Sequence, residues 1–262
     1  MDARAKLEEV FLAPVGSMID APDTRVIEAP GWYQIVTPSS GSTVGNEVVL
    51  SQLAGDDAEA VVRRTIAEYA AHRVPFKWAV GPLTAPAGFG AILERHGAAG
   101  EPMRGMAIAA GAVTWPVPDD VVVERVTAET MPVYHDAFAR GWGPTFHVDD
   151  PEAWIEHHRD ALARGRHAFY LARIGGEPAG TAGMVVKPRS GYLIGGNVID
   201  RFRRRGVYRA LVATRVRELA ALGRELATTR ARTASSAPIL ERLGFERVYD
   251  GTTYVLSTAR RT

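Results

Sequence analysis

The hexapeptide Ile92-Leu-Glu-Arg-His-Gly97 returns as Ile239-Leu-Glu-Arg-Leu-Gly244, identical at five of six positions and displaced by 147 residues in a chain of 262. The flanks repeat as well, so the chain is constrained to fold as two copies of one element order. Each hexapeptide leads into a strand-like segment, Met106–Ala109 and Thr253–Leu256, and the same displacement carries Met106 onto Thr253. Each follows another strand-like run, Phe76–Val80 and Leu226–Arg230. Before these lie helices with apolar positions at helical spacing: Ala58–Ala71, with Val61, Val62, Ile66 and Tyr69, and Gly206–Ala221, with Leu211, Val212, Val216 and Leu219. A boundary is expected within 111–120, where two prolines precede the β-rich start Val121–Val126. The length favours two domains, placed at 1–115 and 116–262.

The most chemically charged segment follows the apolar run Tyr192–Ile199. It reads Asp200-Arg-Phe-Arg203-Arg204-Arg205-Gly206-Val207-Tyr208-Arg209-Ala-Leu211. A helix begun at such a turn directs unpaired backbone N–H groups and its positive dipole end outward, and three arginines add full charge, which suits a phosphate. No Gly-x-Gly-x-x-Gly and no Gly-Lys-Ser/Thr follows, so neither a dinucleotide nor a Walker-type loop is indicated. Arginine runs also serve nucleic acids, but 31 basic against 30 acidic residues supply no broad basic field, and no nucleic-acid partner is expected.

The turn resembles the Arg/Gln-x-x-Gly-x-Gly/Ala pyrophosphate loop of the GNAT acetyltransferase superfamily, and Ala237–Phe245 resembles that superfamily's second signature, a short helix ending in Gly-Phe before a strand. Both occur in the family's order, and after the short helix, read at Ser235–Leu243, two terminal strands complete the set. The resemblance covers Val121–Leu256 well and Gly31–Ala109 weakly. It implies an α+β fold, sandwich-like, of two GNAT-like domains, each a mixed, mostly antiparallel twisted sheet flanked by helices. It implies acetyl-CoA as cosubstrate, the backbone of Val198 and Ile199 pairing with pantetheine, and Arg203, Arg204, Arg205, Gly206, Val207, Tyr208 and Arg209 around the pyrophosphate. Thr233, Ser235 and Ser236, at the entrance to the last helix, are either further cofactor contacts or N-capping residues. Gly195 and Gly196 suit a bulge or a close approach. Tyr208 stands where the family prefers Gly or Ala, and Leu240 where many members place the Tyr that protonates the thiolate.

Transfer to an amine needs a neutral nucleophile, an oxyanion donor and an acid or water for the thiolate. The backbone N–H of Val198 is the oxyanion candidate. An alkyl ammonium of pKa about 10.4 is protonated at neutral pH, so a base or desolvation must deliver the free amine. His147 is a candidate base and Tyr208 a candidate acid, beside the alternatives of a water chain and of cofactor packing. Between the two helices expected near 128–140 and 152–164, Trp142, Phe146 and Asp149, together with Asn197, are candidate acceptor contacts. Asp149 and Asp150 equally suit a helix start, and aromatic residues a core.

At the displacement of 147, Asp56, Asp57 and Glu59 fall on Arg203, Arg204 and Gly206, so the first half opposes a phosphate and is expected to be a degenerate copy, structural or acceptor-binding. The segment Thr37–Asn46 is either an acceptor contact or a plain hairpin connection. The absence of cysteine excludes disulfides, thiolate metal sites and a cysteine nucleophile. His147, His157 and His158 lack a compact second cluster, and no metal is expected. The first residues are unlike a secretory signal and no apolar run reaches the ~18–20 residues of a membrane span. A cytoplasmic, membrane-free monomer or homodimer is expected. The activity indicated is acetyl transfer to a primary amine of a small molecule or peptide. Another acyl-CoA, an O-linked acceptor, or a non-catalytic acetyl-CoA sensor or scaffold are the alternatives.

Overall fold

The computed structural model describes residues 1–54, 57–143, 148 and 150–257. Along the chain its elements are α1 (Ala3–Phe11), β1 (Arg25–Ala29), β2 (Trp32–Val36), β3 (Glu47–Ser51), α2 (Ala58–His72), β4 (Phe76–Val80), α3 (Phe89–Arg95) and β5 (Ala99–Ala109). They continue with β6 (Val121–Arg125), α4 (Met131–Trp142), α5 (Pro151–Ala163), β7 (His167–Ile174), β8 (Glu177–Val186), β9 (Ser190–Val198), α6 (Val207–Ala221), β10 (Leu226–Arg232), α7 (Ser236–Arg242) and β11 (Glu246–Leu256). Two compact units result, each drawn from more than one stretch: Met1–Met106 with Arg230–Leu240 and Arg247–Thr262, and Ala107–Thr229 with Glu241–Glu246.

The sequence repeat is a repeat of structure. Helices α3 and α7, and strands β5 and β11, begin and end 147 residues apart. Each hexapeptide closes its helix with a glycine in the left-handed region, Gly97 at φ 82° and Gly244 at φ 86°, where a Cβ is unfavourable and a helix can stop. Leu93 and Leu240, at matching positions, are both buried. Leu240 therefore fills a core position.

In the first unit the strand order is β1-β2-β3-β4-β11-β5, so the last strand of the sequence is inserted beside β4. Strands β1, β2 and β3 pair antiparallel, β3 and β4 parallel, and β4 and β11 antiparallel, with Phe76 opposite Leu256. Val62, Tyr69, Phe76, Trp78, Phe89, Leu93, Tyr254 and Leu256 form one core. Tyr69 stacks on Phe76 at 4.0 Å and donates its hydroxyl to the Ile35 carbonyl at 2.6 Å. Glu47 is buried between Arg230, at 2.5 Å, and Lys77, at 3.3 Å. Burial opposes its ionisation, but the two cations outweigh burial and hold its carboxyl below the usual range. The segment Thr37–Asn46 closes on itself: Asn46 accepts from the Thr37 N–H and donates to the Thr37 and Ser42 carbonyls. It is a hairpin connection between β2 and β3.

In the second unit the order is β10-β9-β8-β7-β6, antiparallel from β6 to β9 and parallel between β9 and β10. Helix α6 packs on one face of this sheet, and α4 on the other, with α5 against α4 and β7. The faces follow from alternation along β9: Gly196 meets α6 and Asn197 meets α4. Helix α4 begins at Met131, later than the sequence reading near Ala128, because Pro132 in its first turn fixes the start. Only one strand follows α7 among the described residues, where two are expected from sequence. Among the described residues no helix is long and apolar enough to cross a membrane.

Candidate active site

Strands β9 and β10 pair over only three residues, Ser190–Tyr192 against Leu226–Thr228. Beyond this the ladder ends, and only the Thr229 hydroxyl still reaches across, donating to the Leu193 carbonyl at 2.9 Å. The rest of β9 thus presents an edge not paired by β10. On its other side β9 stays in register with β8 except between Thr181/Asn197 and Gly183/Ile194, where β9 carries one residue more. That extra residue is a bulge at Gly195, whose φ of 61° requires glycine.

Past the bulge the ladder decides which backbone groups face outward. Ile199 donates its N–H to the Ala179 carbonyl at 3.0 Å, and its own carbonyl accepts from Phe202 at 2.8 Å. Val198, one residue earlier and opposite Gly180, is the alternate member of the ladder, so its N–H and carbonyl turn to the open edge. Of the two residues read from sequence as backbone contacts, Val198 has its groups directed outward. Those of Ile199 are engaged within the unit.

The arginine turn leads from this edge into α6. Gly206 caps the helix at φ 81°, a Cβ there would collide with Pro118, and no side chain caps the helix N-terminus. The N–H groups of Val207, Tyr208 and Arg209 therefore precede the first intrahelical bond, from Ala210 to the Gly206 carbonyl. Arg203, Arg204 and Arg205 are exposed. Arg203 pairs with Asp200 and Arg205 with Asp120, both at 2.8 Å, while Arg201 pairs with Glu177 and lies over the Phe202 ring. Arg204 holds a left-handed φ of 63°. The Arg209 carbonyl accepts from the Trp115 indole at 3.3 Å.

Tyr208 turns inward. A Cβ on Gly196 would lie 3.1 Å from its ring and 3.7 Å from a guanidinium nitrogen of Arg215, so the missing side chain makes room for both. Burial raises the Tyr208 pKa, with Arg215 opposing, and the phenol is protonated at neutral pH. Arg215, which sequence groups with the exposed arginines, is 2% exposed. It donates to the carbonyls of Leu211 and Gly183 at 2.9 Å and of Ile194 at 3.4 Å. This guanidinium ties α6 to β8 and to the residue preceding the bulge. Its position was hidden in the sequence because a basic residue in an arginine-rich helix reads as outward-facing; its spacing of seven from Tyr208, two helical turns, is the available signal.

On the α4 face, Tyr134, Phe138, Trp142 and Trp154 form a connected aromatic layer with Phe169. Trp142 belongs to this layer. Asp150 caps α5, accepting from the Ala153 N–H at 3.0 Å, so it serves the helix start. His158 stacks on Trp154 at 3.3 Å, and burial pushes its pKa down to about 3. Asn197 lies against Gly141 of α4, where any side chain would overlap its amide. Phe146, His147, Asp149 and Asp56 lie outside the described residues.

Thr233 and Ser236 fall in the first unit. The Ser236 hydroxyl accepts from the Arg232 N–H at 3.0 Å, and the Thr233 N–H donates to the Pro102 carbonyl at 3.1 Å. In the same unit Glu59 pairs with His96 at 2.6 Å and Arg95 at 3.0 Å, and the His96 hydrogen bond foremost lowers its pKa. Among the described residues no group of three or more His, Cys, Asp or Glu is arranged to hold a metal.

The profile of the acetyltransferase (GNAT) family matches residues 132–245. Among solved structures, a GCN5-related N-acetyltransferase from Kribbella flavida superposes with a TM-score of 0.68 at 15% identity, covering 97% of this chain and 94% of that one. A GCN5-related N-acetyltransferase from Sphaerobacter thermophilus gives 0.62 at 14%, covering 97% and 92%. A tandem GNAT protein from the clavulanic acid biosynthesis pathway gives 0.58 at 12%, covering 98% and 95%. At these identities the likeness concerns the fold. No curated protein matches the sequence.

Proposed function

We propose that the chain is an acetyl-CoA-dependent N-acetyltransferase, because residues 132–245 match the profile of the acetyltransferase (GNAT) family and the fold is similar to that of a tandem GNAT protein. Its acceptor is a primary amine of a small molecule or peptide. Residues 116–262 carry the chemistry in this reading, and the first half is structural or acceptor-binding. The observation that carries the reading is the junction of an unpaired β9 edge with an uncapped helix N-terminus ringed by arginines. The two surfaces suit the two ends of one long ligand.

Acetyl-CoA supplies an activated thioester and a pyrophosphate. Arg203, Arg204, Arg205 and the N–H groups of Val207, Tyr208 and Arg209 hold the pyrophosphate through charge-assisted bonds and the helix dipole. The Val198 carbonyl and N–H accept and donate along the open edge, and the N–H stabilises negative charge developing on the thioester oxygen. The Tyr208 ring packs beside the bulge at Gly196. No carboxylate stands on β9 to take the amine's proton, so water and desolvation deliver the neutral nucleophile in this reading.

Reversing charge at the turn tests this. Arg203→Glu with Arg205→Glu is expected to raise the calorimetric Kd for acetyl-CoA a hundredfold or more, since each charge-assisted bond is worth about 1.5–3 kcal/mol. Unchanged affinity would show the turn to be an ordinary basic surface.

A further inference from the structure

Asn197 and Thr181 face each other across β9 and β8, on the side of the sheet covered by α4. Asn197 is 7% exposed and Thr181 fully buried. Both amide atoms of Asn197 and the hydroxyl of Thr181 lack any hydrogen-bond partner. Leaving such groups buried and unanswered costs about 1–3 kcal/mol each, and folded proteins keep few of them. Leucine and valine would fill the same volumes without that cost. Two adjacent exceptions on one face mark a place where something else supplies the bonds.

The location indicates what that is. Asn197 immediately precedes Val198, the residue whose N–H turns to the open edge, and consecutive Cα atoms are only about 3.8 Å apart. Gly141 lets α4 approach the amide directly, and Phe138 of the same helix contacts the bulge. The pair thus lies beside the reacting end of the proposed site, under an aromatic helix face. Its chemistry is neutral. Arg215 approaches Gly196 on the opposite face. The pair itself, an amide and a hydroxyl, offers a cation no counter-charge, and an anion would leave the amide oxygen unanswered. A group that both donates and accepts answers every atom.

We infer that Asn197 and Thr181 form an acceptor subsite selecting amines that carry a neutral hydrogen-bonding group, a carboxamide or hydroxyl, a few bonds from the nucleophile. This rests on the N-acetyltransferase reading and narrows its acceptor class. Sites built to hydrogen-bond a substrate group discriminate strongly against analogues lacking it, because their own buried groups are then stranded.

Thiol release from acetyl-CoA is measured with 4-aminobutanamide, 4-amino-1-butanol and pentylamine. The wild-type chain is expected to favour at least one polar amine over pentylamine by tenfold or more in kcat/KM. Asn197→Leu and Thr181→Val should shrink that ratio to within about threefold. Equal use of the three amines by the wild type, which needs no variant to fold, overturns the subsite, as does a ratio retained in both variants. Binding of 4-aminobutanamide is followed in parallel by calorimetry. If no amine releases thiol, yet this amine binds and Asn197→Leu abolishes binding, the transferase reading fails while the subsite stands. Binding that is absent, or unchanged by the substitution, refutes the subsite and leaves the pair to hold only structural water.

Discussion

Tyr208 packs its ring against β9 at Gly196, where a Cβ would lie 3.1 Å from the phenol ring. The ring therefore shapes β9 whether or not its hydroxyl takes part in chemistry. Removing the oxygen alone separates the roles. Tyr208→Phe is expected to keep acetyl-CoA affinity and most of the turnover, because packing persists. General acids contribute about 10²–10⁴-fold, so a hundredfold fall in kcat at unchanged Kd would instead identify the phenol as the thiolate's acid. At this scale the sequence was legible where chemistry is local. Gly206, the arginine turn and the Gly195–Gly196 irregularity follow from three or four neighbouring residues. Arg215 was not legible, since its burial depends on carbonyls supplied by β8 and β9, more than twenty positions upstream. The same holds for Thr181, whose significance appears only once register sets it opposite Asn197.

Among elements, the α4–α5 layer carries a pH dependence. His158 sits on Trp154 and donates its Nδ1–H to the carbonyl of that residue at 2.8 Å. Burial foremost depresses its pKa to about 3, with His167, His135 and His157 adding repulsion. The unfolded chain binds a proton at this residue near pH 6.5 while the folded chain does not, so its contribution is complete above that pH and is lost as pH falls toward 3. Between pH 7 and 5 the wild type should lose roughly 2 kcal/mol more than His158→Gln, at about 1.4 kcal/mol per unit. Urea unfolding at the two pH values measures this, and parallel losses in both proteins would refute it. Element bounds were mostly readable from apolar period, and β4 matches its expected limits. The single strand after α7 was misjudged because β11 is eleven residues long and contains Gly251, which reads as a break between two short strands.

For the whole molecule, two copies of one element order need not mean two cofactor sites. Helices α2 and α6 begin 149 residues apart, so the acidic Asp57 stands at the cap that Gly206 holds in the later copy, and Glu59, just inside the helix, pairs with Arg95 and His96 of its own unit. Calorimetry is expected to find one acetyl-CoA per chain, and two equivalent sites would contradict the degenerate reading of the first half. The placement of β11 has a separate implication for biosynthesis. Residues 1–106 are made before residues 107–256, yet the strand that belongs beside β4 is encoded at 246–256. That earlier stretch must wait for its missing member until residues 246–256 have been made, and until then it carries an open sheet edge along β4.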